Sequence, residues 1–472
     1  KYDVKSSKAE EFINDGEIND TLKYASENKT NRTLIKSIIE KARERKGLNH
    51  REAAVLLDCE LEDLNQEMFE LAREIKQKIY GNRIVMFAPL YLSNYCVNGC
   101  VYCPYHAKNK TICRKKLTQE QVRAETIALQ DMGHKRLALE AGEDPVNNPL
   151  EYILECIDTI YSIKHKNGAI RRVNVNIAAT TVENYKRLKD AGIGTYILFQ
   201  ETYNKENYLN LHPTGPKHDY AYHTEAMDRA MQGGIDDVGC GVLFGLNLYR
   251  YDFVGLLMHA EHLEAAFGVG PHTISVPRIC PADDIDVEDF SNAVSDEIFQ
   301  KIIAVIRIAV PYTGMIISTR ESQKSREKAL QLGISQISGA SSTSVGGYVE
   351  KETDENNTAQ FDRSDTRTLD EVLNWLLELG YIPSFCTACY RQGRTGDRFM
   401  PLAKSGAIQN CCQPNALLTL KEYLEDYASK DTKIKGDKVI AAEVKKIPND
   451  KVRETTIDYL DKIVHGSRDF RF

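Results

Sequence analysis

The sequence predicts a closed (β/α)8 barrel of the TIM type, with a helical extension before it and a mostly helical, cysteine-bearing domain after it. Three observations predict it. Short apolar runs alternate with amphipathic segments about eight times between residues 81 and 340, and such alternation implies parallel strands joined by crossover helices. Eight repeats in roughly 260 residues suit a closed barrel. No glycine-rich phosphate fingerprint opens the first helix, which disfavours the alternative, an open doubly wound sheet.

Each element follows from the local pattern. Residues 1–80 read as helices, because NRTLIKSIIEKARERK and LEDLNQEMFELAREIKQKIYG place apolar residues at three- and four-residue spacing. Gly81 ends that region. The strands then come in order as IVMFAPLYL, RLALEAG, RVNVNIA, TYILFQ, DVGCGVLFG, TISVPRI, GMIIST and SQISGAS. Amphipathic stretches such as LTQEQVRAETIALQDMG and TVENYKRLKDAG separate them and end in glycine. Residues 341–368 are polar and glycine-containing and read as a mobile linker. LDEVLNWLLELG then begins a C-terminal domain, 369–472, whose last stretch reads as covering helices.

The net charge of −7 gives no electrostatic ground for nucleic-acid binding. No apolar run approaches the roughly 20 residues of a membrane helix, and KYDVKSSKAEEF lacks the apolar core of a signal peptide. A cytoplasmic location without a membrane partner is expected. Twelve cysteines in such a chain argue for metal binding or chemistry rather than disulfides.

Three of them lie in CVNGCVYC, as Cys96, Cys100 and Cys103. They follow the first strand, on the face of a parallel barrel that carries the reactive loops. Three soft thiolates without a close fourth leave one metal position open, as a 4Fe–4S cluster with one free iron would. The alternatives are a zinc loop completed by His106, or plain buried thiols. Further on, Ser318 and Arg320 share a face at the end of the seventh strand. A buried arginine needs an anionic partner, and its planar fork suits a carboxylate. An internal ion pair to Glu321 or Glu201 is the competing reading.

With Tyr102 before the last cysteine, the C-x3-C-x2-C loop after the first strand resembles the radical S-adenosylmethionine (SAM) superfamily. The resemblance implies that the free iron chelates SAM and cleaves it to a 5′-deoxyadenosyl radical, within a protein that orients and shields the reaction. It implies that Gly142 and Glu143, in LALEAGEDP, hold the SAM amino group and that Tyr102 lies near the adenine. QETY (with Gln200, Glu201 and Tyr203), SVPRI and STRES resemble the aromatic-amino-acid lyase branch. That branch implies L-tyrosine as substrate, p-cresol and dehydroglycine as products, Arg320 with Ser318 at the substrate carboxylate, Glu201 toward the cofactor, and Arg278 at SAM or substrate.

A second group, CTACYRQGRTGDRFMPLAKSGAIQNCC, contains Cys386, Cys389, Cys411 and Cys412. Two cysteine pairs could close a zinc ribbon. The spacing C-x2-C-x22-C, from Cys386 to Cys412, instead resembles the tyrosine lyases that mature FeFe hydrogenases. That likeness implies an auxiliary 4Fe–4S cluster on Cys386, Cys389 and Cys412, an additional iron, free cysteine as a ligand to that iron, and assembly of CO and cyanide. Cys411 falls outside the pattern. If the C-terminal domain closes the barrel end opposite the SAM site, its cluster meets strand starts. His272, at the start of the sixth strand, is then the candidate iron ligand, with a capping or core role as the alternative. His259 and His262 fit an outer helix better. The expected partners are other hydrogenase maturation proteins. A thiazole-biosynthesis tyrosine lyase and a non-catalytic iron–sulfur carrier are the rival readings.

Overall fold

The computed structural model describes residues 1–350, 356–396 and 398–472. Eight parallel strands close a barrel: β1 (Arg83–Ser93), β2 (Arg136–Ala141), β3 (Arg172–Asn176), β4 (Tyr196–Ile197), β5 (Val238–Gly241), β6 (Thr273–Ser275), β7 (Gly314–Ile317) and β8 (Gln336–Ser338). Neighbours pair in chain order, and β1 pairs both β8 and β2 to close the ring. All eight are the strands expected from the apolar runs, and helices separate them. The helix Gln119–Met132 shows why: Thr118 and Gln121 form a reciprocal cap, and Gly133 ends it at φ 110°.

β1 is long because it serves three partners. Arg83–Val85 pairs a ninth strand, β9 (Ile382–Ser384), before the rest of β1 enters the barrel. The C-terminal domain is thereby stitched to the strand starts. Its helices, Leu369–Glu378, Gln409–Asp426, Lys430–Val444 and Asp450–Val464, pack on β9 and one another. The N-terminal helices lie on the barrel's outer layer: His50–Asp58 and Glu62–Tyr80 pack against the barrel helix Asp296–Ala309.

The segment 341–368, expected as a mobile linker, differs from that expectation wherever it is described. Residues 351–355 lie outside the described residues. Around them, Gln360 N donates to Thr343 O, Thr343 Oγ1 to Phe361 O, and Ser364 N to Thr319 O. Tyr91 Oη donates to Gln360 Oε1 at 2.7 Å, and Phe361 is buried. The polar side chains that read as a linker hold a loop folded across the strand ends.

Strand alternation decides what the interior holds. Phe87, Ala138, Asn174, Ser275, Ile316 and Ser338 face inward. Several are small or polar, so the barrel is not filled by branched side chains and keeps space at both ends.

Candidate active site and second cysteine cavity

The larger space, ≈ 230 Å³, opens at the strand ends. Cys96, Cys100 and Cys103 all line it, together with Tyr102, Gly142, Glu143, Glu201, Ser318 and Arg320. The loop that carries the cysteines is tied to the end of β2: Val97 N donates to Glu143 O at 2.8 Å, and Asn98 Nδ2 to Glu143 Oε1 at 2.7 Å. Gly142 passes so close that an added Cβ would meet Tyr95 O at 2.2 Å. Burial pushes the Cys100 thiol up to about 12 and Cys103 to about 11, and burial also raises the Glu143 carboxyl. These thiols need a cation to ionise. Lys217, unnoticed in the sequence, supplies one charge. Burial works against its ammonium, but Glu201 at 3.4 Å and the three cysteines more than offset that and raise its pKa.

Tyr102 is buried, and its hydroxyl lies 2.7 Å from His212 Nε2. His212 Nδ1 must donate to Tyr208 O, and burial drives the ring's pKa far down, so Nε2 accepts and the phenol is fixed. His106 does not join the cysteines; it pairs with Asp284 at 2.9 Å. Among the described residues, no three His, Cys, Asp or Glu side chains sit close enough to hold one metal ion. The three thiols on one cavity wall therefore suit a multi-iron cluster better than a zinc ion.

The two arginines have different fates. Arg278 Nε donates to Glu321 Oε2 at 3.0 Å, its Nη1 lies 2.9 Å from Asp296, and its guanidinium stacks on Phe299. It does not line the cavity, which corrects the expectation that it holds SAM or substrate. The cause is Glu321, which turns it toward the outer helix. Arg320 has no carboxylate within ion-pair distance among the described residues. It lies over Phe361 at 3.9 Å and donates to Cys280 Sγ at 3.5 Å. The internal pair considered for it is absent: Glu321 goes to Arg278, and Glu201 to Lys217. Glu140, also unnoticed, projects into the same cavity; burial pushes it up to about 8, against the pull of Arg320 and of Asn176. Of QETY, Gln200 donates to Thr224 and Tyr203 bonds His259, so both are core residues. His262, between Asp228 and Phe12, is another.

A second cavity, ≈ 100 Å³, lies at the strand starts. Cys386, Cys389, Cys412 and His272 line it, with Arg83, Arg136, Arg172 and Asp237. Cys411 does not; its thiol points to Ile408 O. The neighbouring Cys411 and Cys412 thiols hold the Cys389 thiol far below its usual range. Burial pushes the His272 imidazole down, keeping it in the neutral form that ligates metals. Its Nδ1, Arg136 Nε and Arg83 Nη1 are buried without a hydrogen-bond partner. Such atoms are costly, and a charged, ligand-rich group seated there would answer them. The residues present fit an iron–sulfur cluster with a further iron.

The comparisons agree with this geometry. Residues 90–257 match the radical SAM superfamily, and 275–382 match the biotin and thiamin synthesis associated domain. A 2-iminoacetate synthase from Salmonella typhimurium is 29% identical over 346 residues, covering 73% of this chain and 89% of its own. A crystal structure of HydG, a maturase of the FeFe hydrogenase, is 59% identical, with a TM-score of 0.94 over 98% of this chain and 100% of that one. The chain belongs to the HydG family. A second HydG structure, from Carboxydothermus hydrogenoformans, is 40% identical, with a TM-score of 0.83 over 96% and 99% of the two chains. Membership of the radical SAM superfamily implies a 4Fe–4S cluster and SAM. Cys96, Cys100 and Cys103 are the thiols on this chain that would hold that cluster. No helix of the described residues is long and apolar enough to cross a membrane.

Proposed function

We propose that this protein is a radical SAM hydrogenase maturase that cleaves the Cα–Cβ bond of L-tyrosine, giving p-cresol and dehydroglycine. Dehydroglycine is then converted to CO and cyanide for the FeFe-hydrogenase diiron cofactor. When bound, the first cluster supplies an electron that cleaves SAM reductively. The chain's own residues do the rest. Gly142 and Glu143 receive the SAM amino group, Tyr102 borders the adenine, and Glu201 with Lys217 sets the charge of that wall. Arg320 grips the tyrosine carboxylate with its planar fork, and Ser318 lies beside it. The closed barrel wall and the loop that carries Phe361 keep water from a reactive substrate.

One observation carries the reading: an arginine without a carboxylate partner, in a cavity shared with three thiols. A carrier of iron–sulfur clusters would have no use for it. The 2-iminoacetate synthase relative is named for the same imino acid as dehydroglycine, which supports the reaction. The second cavity favours the maturase over a thiazole lyase. There Cys386, Cys389 and Cys412 would hold an auxiliary 4Fe–4S cluster, with His272 and free cysteine as ligands to the additional iron, and other maturation proteins would take the product. Incubating reconstituted protein with tyrosine, SAM and reductant should release p-cresol, then CO and cyanide. Without p-cresol, the lyase reading fails; p-cresol without CO or cyanide would favour the thiazole lyase.

A further inference from the structure

The two cavities meet at one side chain. Gln336 begins β8 and lines both. It is 6% exposed, yet its carboxamide has no hydrogen-bond partner among the described residues. A buried primary amide left without partners is costly, and Gln336 is not among the side chains whose polar atoms are sealed off from all space. Its amide is therefore open to the cavity space. Beside it, Phe87, Ala138 and Ile316 form a small cluster of their own, apart from the main core, on the wall of the larger cavity. Ile316 is the strand partner of Gln336 on β7, and Phe87 lies on β1, two residues beyond its partner Val85. The barrel thus has a waist where these apolar side chains alternate with the inward-facing Asn174, Ser275 and Ser338, and Gln336 is the side chain there that lines both cavities.

We propose that Gln336 is a transit subsite for a small imino- or keto-acid anion passing from the larger cavity to the smaller one. This rests on the lyase reading, in which dehydroglycine, HN=CH–COO⁻, forms at one end and is consumed at the other. Such a fragment loses most of its hydration on entering a constriction narrowed by Phe87 and Ile316. A carboxamide replaces part of it, because its NH2 donates to the carboxylate and its oxygen accepts from the imine N–H. Beyond the waist, the fragment meets Arg136 and Arg172. Gln336 is a positioning residue in this account, since the bond-breaking chemistry lies elsewhere. Its loss should cost transfer and leave tyrosine cleavage intact. A fragment that fails to pass escapes to water and hydrolyses, HN=CH–COO⁻ + H2O → OHC–COO⁻ + NH3, so glyoxylate reports the leak.

The test quantifies p-cresol, CO and glyoxylate in one reaction of the fully reconstituted enzyme, for wild type, Gln336→Leu and Gln336→Glu. Leucine removes the hydrogen bonds at similar volume; glutamate keeps the shape but repels the anion. Both should keep p-cresol formation. The CO:p-cresol ratio should fall about tenfold, as for one lost hydrogen bond to a charged group, with glyoxylate rising to match. Gln336→Asn should restore part of the ratio. A ratio unchanged in both variants would overturn the inference, as would equal loss of p-cresol and CO, which marks a purely structural role. Absence of p-cresol from the wild type would instead overturn the lyase reading, and this inference with it.

Discussion

Replacing Arg320 by leucine should raise the KM for tyrosine and leave SAM binding alone. The guanidinium has no carboxylate in reach among the described residues, and its contacts are the Phe361 ring and the Cys280 thiol. Leucine keeps packing against Phe361 and removes the charge. What is lost is a charge-assisted, two-pronged contact to the substrate carboxylate, about 1.5–3 kcal/mol. That corresponds to roughly 10- to 150-fold in apparent tyrosine affinity. Arg320→Lys should fall between, because an ammonium keeps the charge but not the fork. The assay is p-cresol formation against tyrosine concentration, with SAM affinity measured separately. Arg278→Leu is the internal control. Its guanidinium is tied to Glu321 and Asp296 outside the cavity, so it should lower the melting temperature and leave the tyrosine KM unchanged. If Arg320→Leu left the KM where it was, the arginine would be structural, and the carboxylate would be bound elsewhere. If Arg278→Leu raised it instead, the assignment of the two would be reversed.

Serine at both Cys386 and Cys389 should leave p-cresol formation in place and abolish CO, since serine is a poor ligand for iron–sulfur centres and the first cysteine group lines a different cavity; CO in unchanged proportion to p-cresol would make the second group a structural site. His272→Ala should give a milder loss of CO. Gly142→Ala should weaken SAM binding tenfold or more with the fold retained, because its Cβ would lie 2.2 Å from Tyr95 O; an unaltered SAM affinity would show that the loop yields freely. His50 bridges Glu261 at 2.6 Å and Glu17 at 2.7 Å, and these carboxylates raise its pKa against the opposing effect of burial. A histidine raised on folding stabilises the native state below its unfolded pKa of about 6.5, and that stability is lost as pH rises through the folded value. Denaturant unfolding should thus show wild type losing about 1–3 kcal/mol more than His50→Gln on going from pH 6 to above the folded pKa; parallel pH profiles would mean the imidazole is neutral throughout.

The eight strands were legible because alternation and apolar runs are written into neighbouring residues. The cysteine spacings were legible for the same reason: the thiols that line one cavity sit in one loop, or in one loop and a nearby helix. Parity along β6 was enough to point His272 toward the strand starts, where it lines the second cavity. Arg278 and Arg320 were not separable in this way. Each follows the end of a barrel strand, and each could reach a carboxylate. Only packing put Glu321 against Arg278 and left Arg320 without an acidic partner. Lys217, Glu140 and Gln360 were invisible for a related reason. Lys217 lies in a single helical turn, Glu140 is the penultimate residue of β2 and Gln360 sits in a polar segment, and nothing local marks any of them. Their roles come from barrel closure, which sets side chains distant in sequence around one volume and removes the water that would otherwise make their charges cheap. Periodicity and ligand spacing are properties of the chain; which charge meets which partner, and which is left for a substrate, is a property of the closed interior.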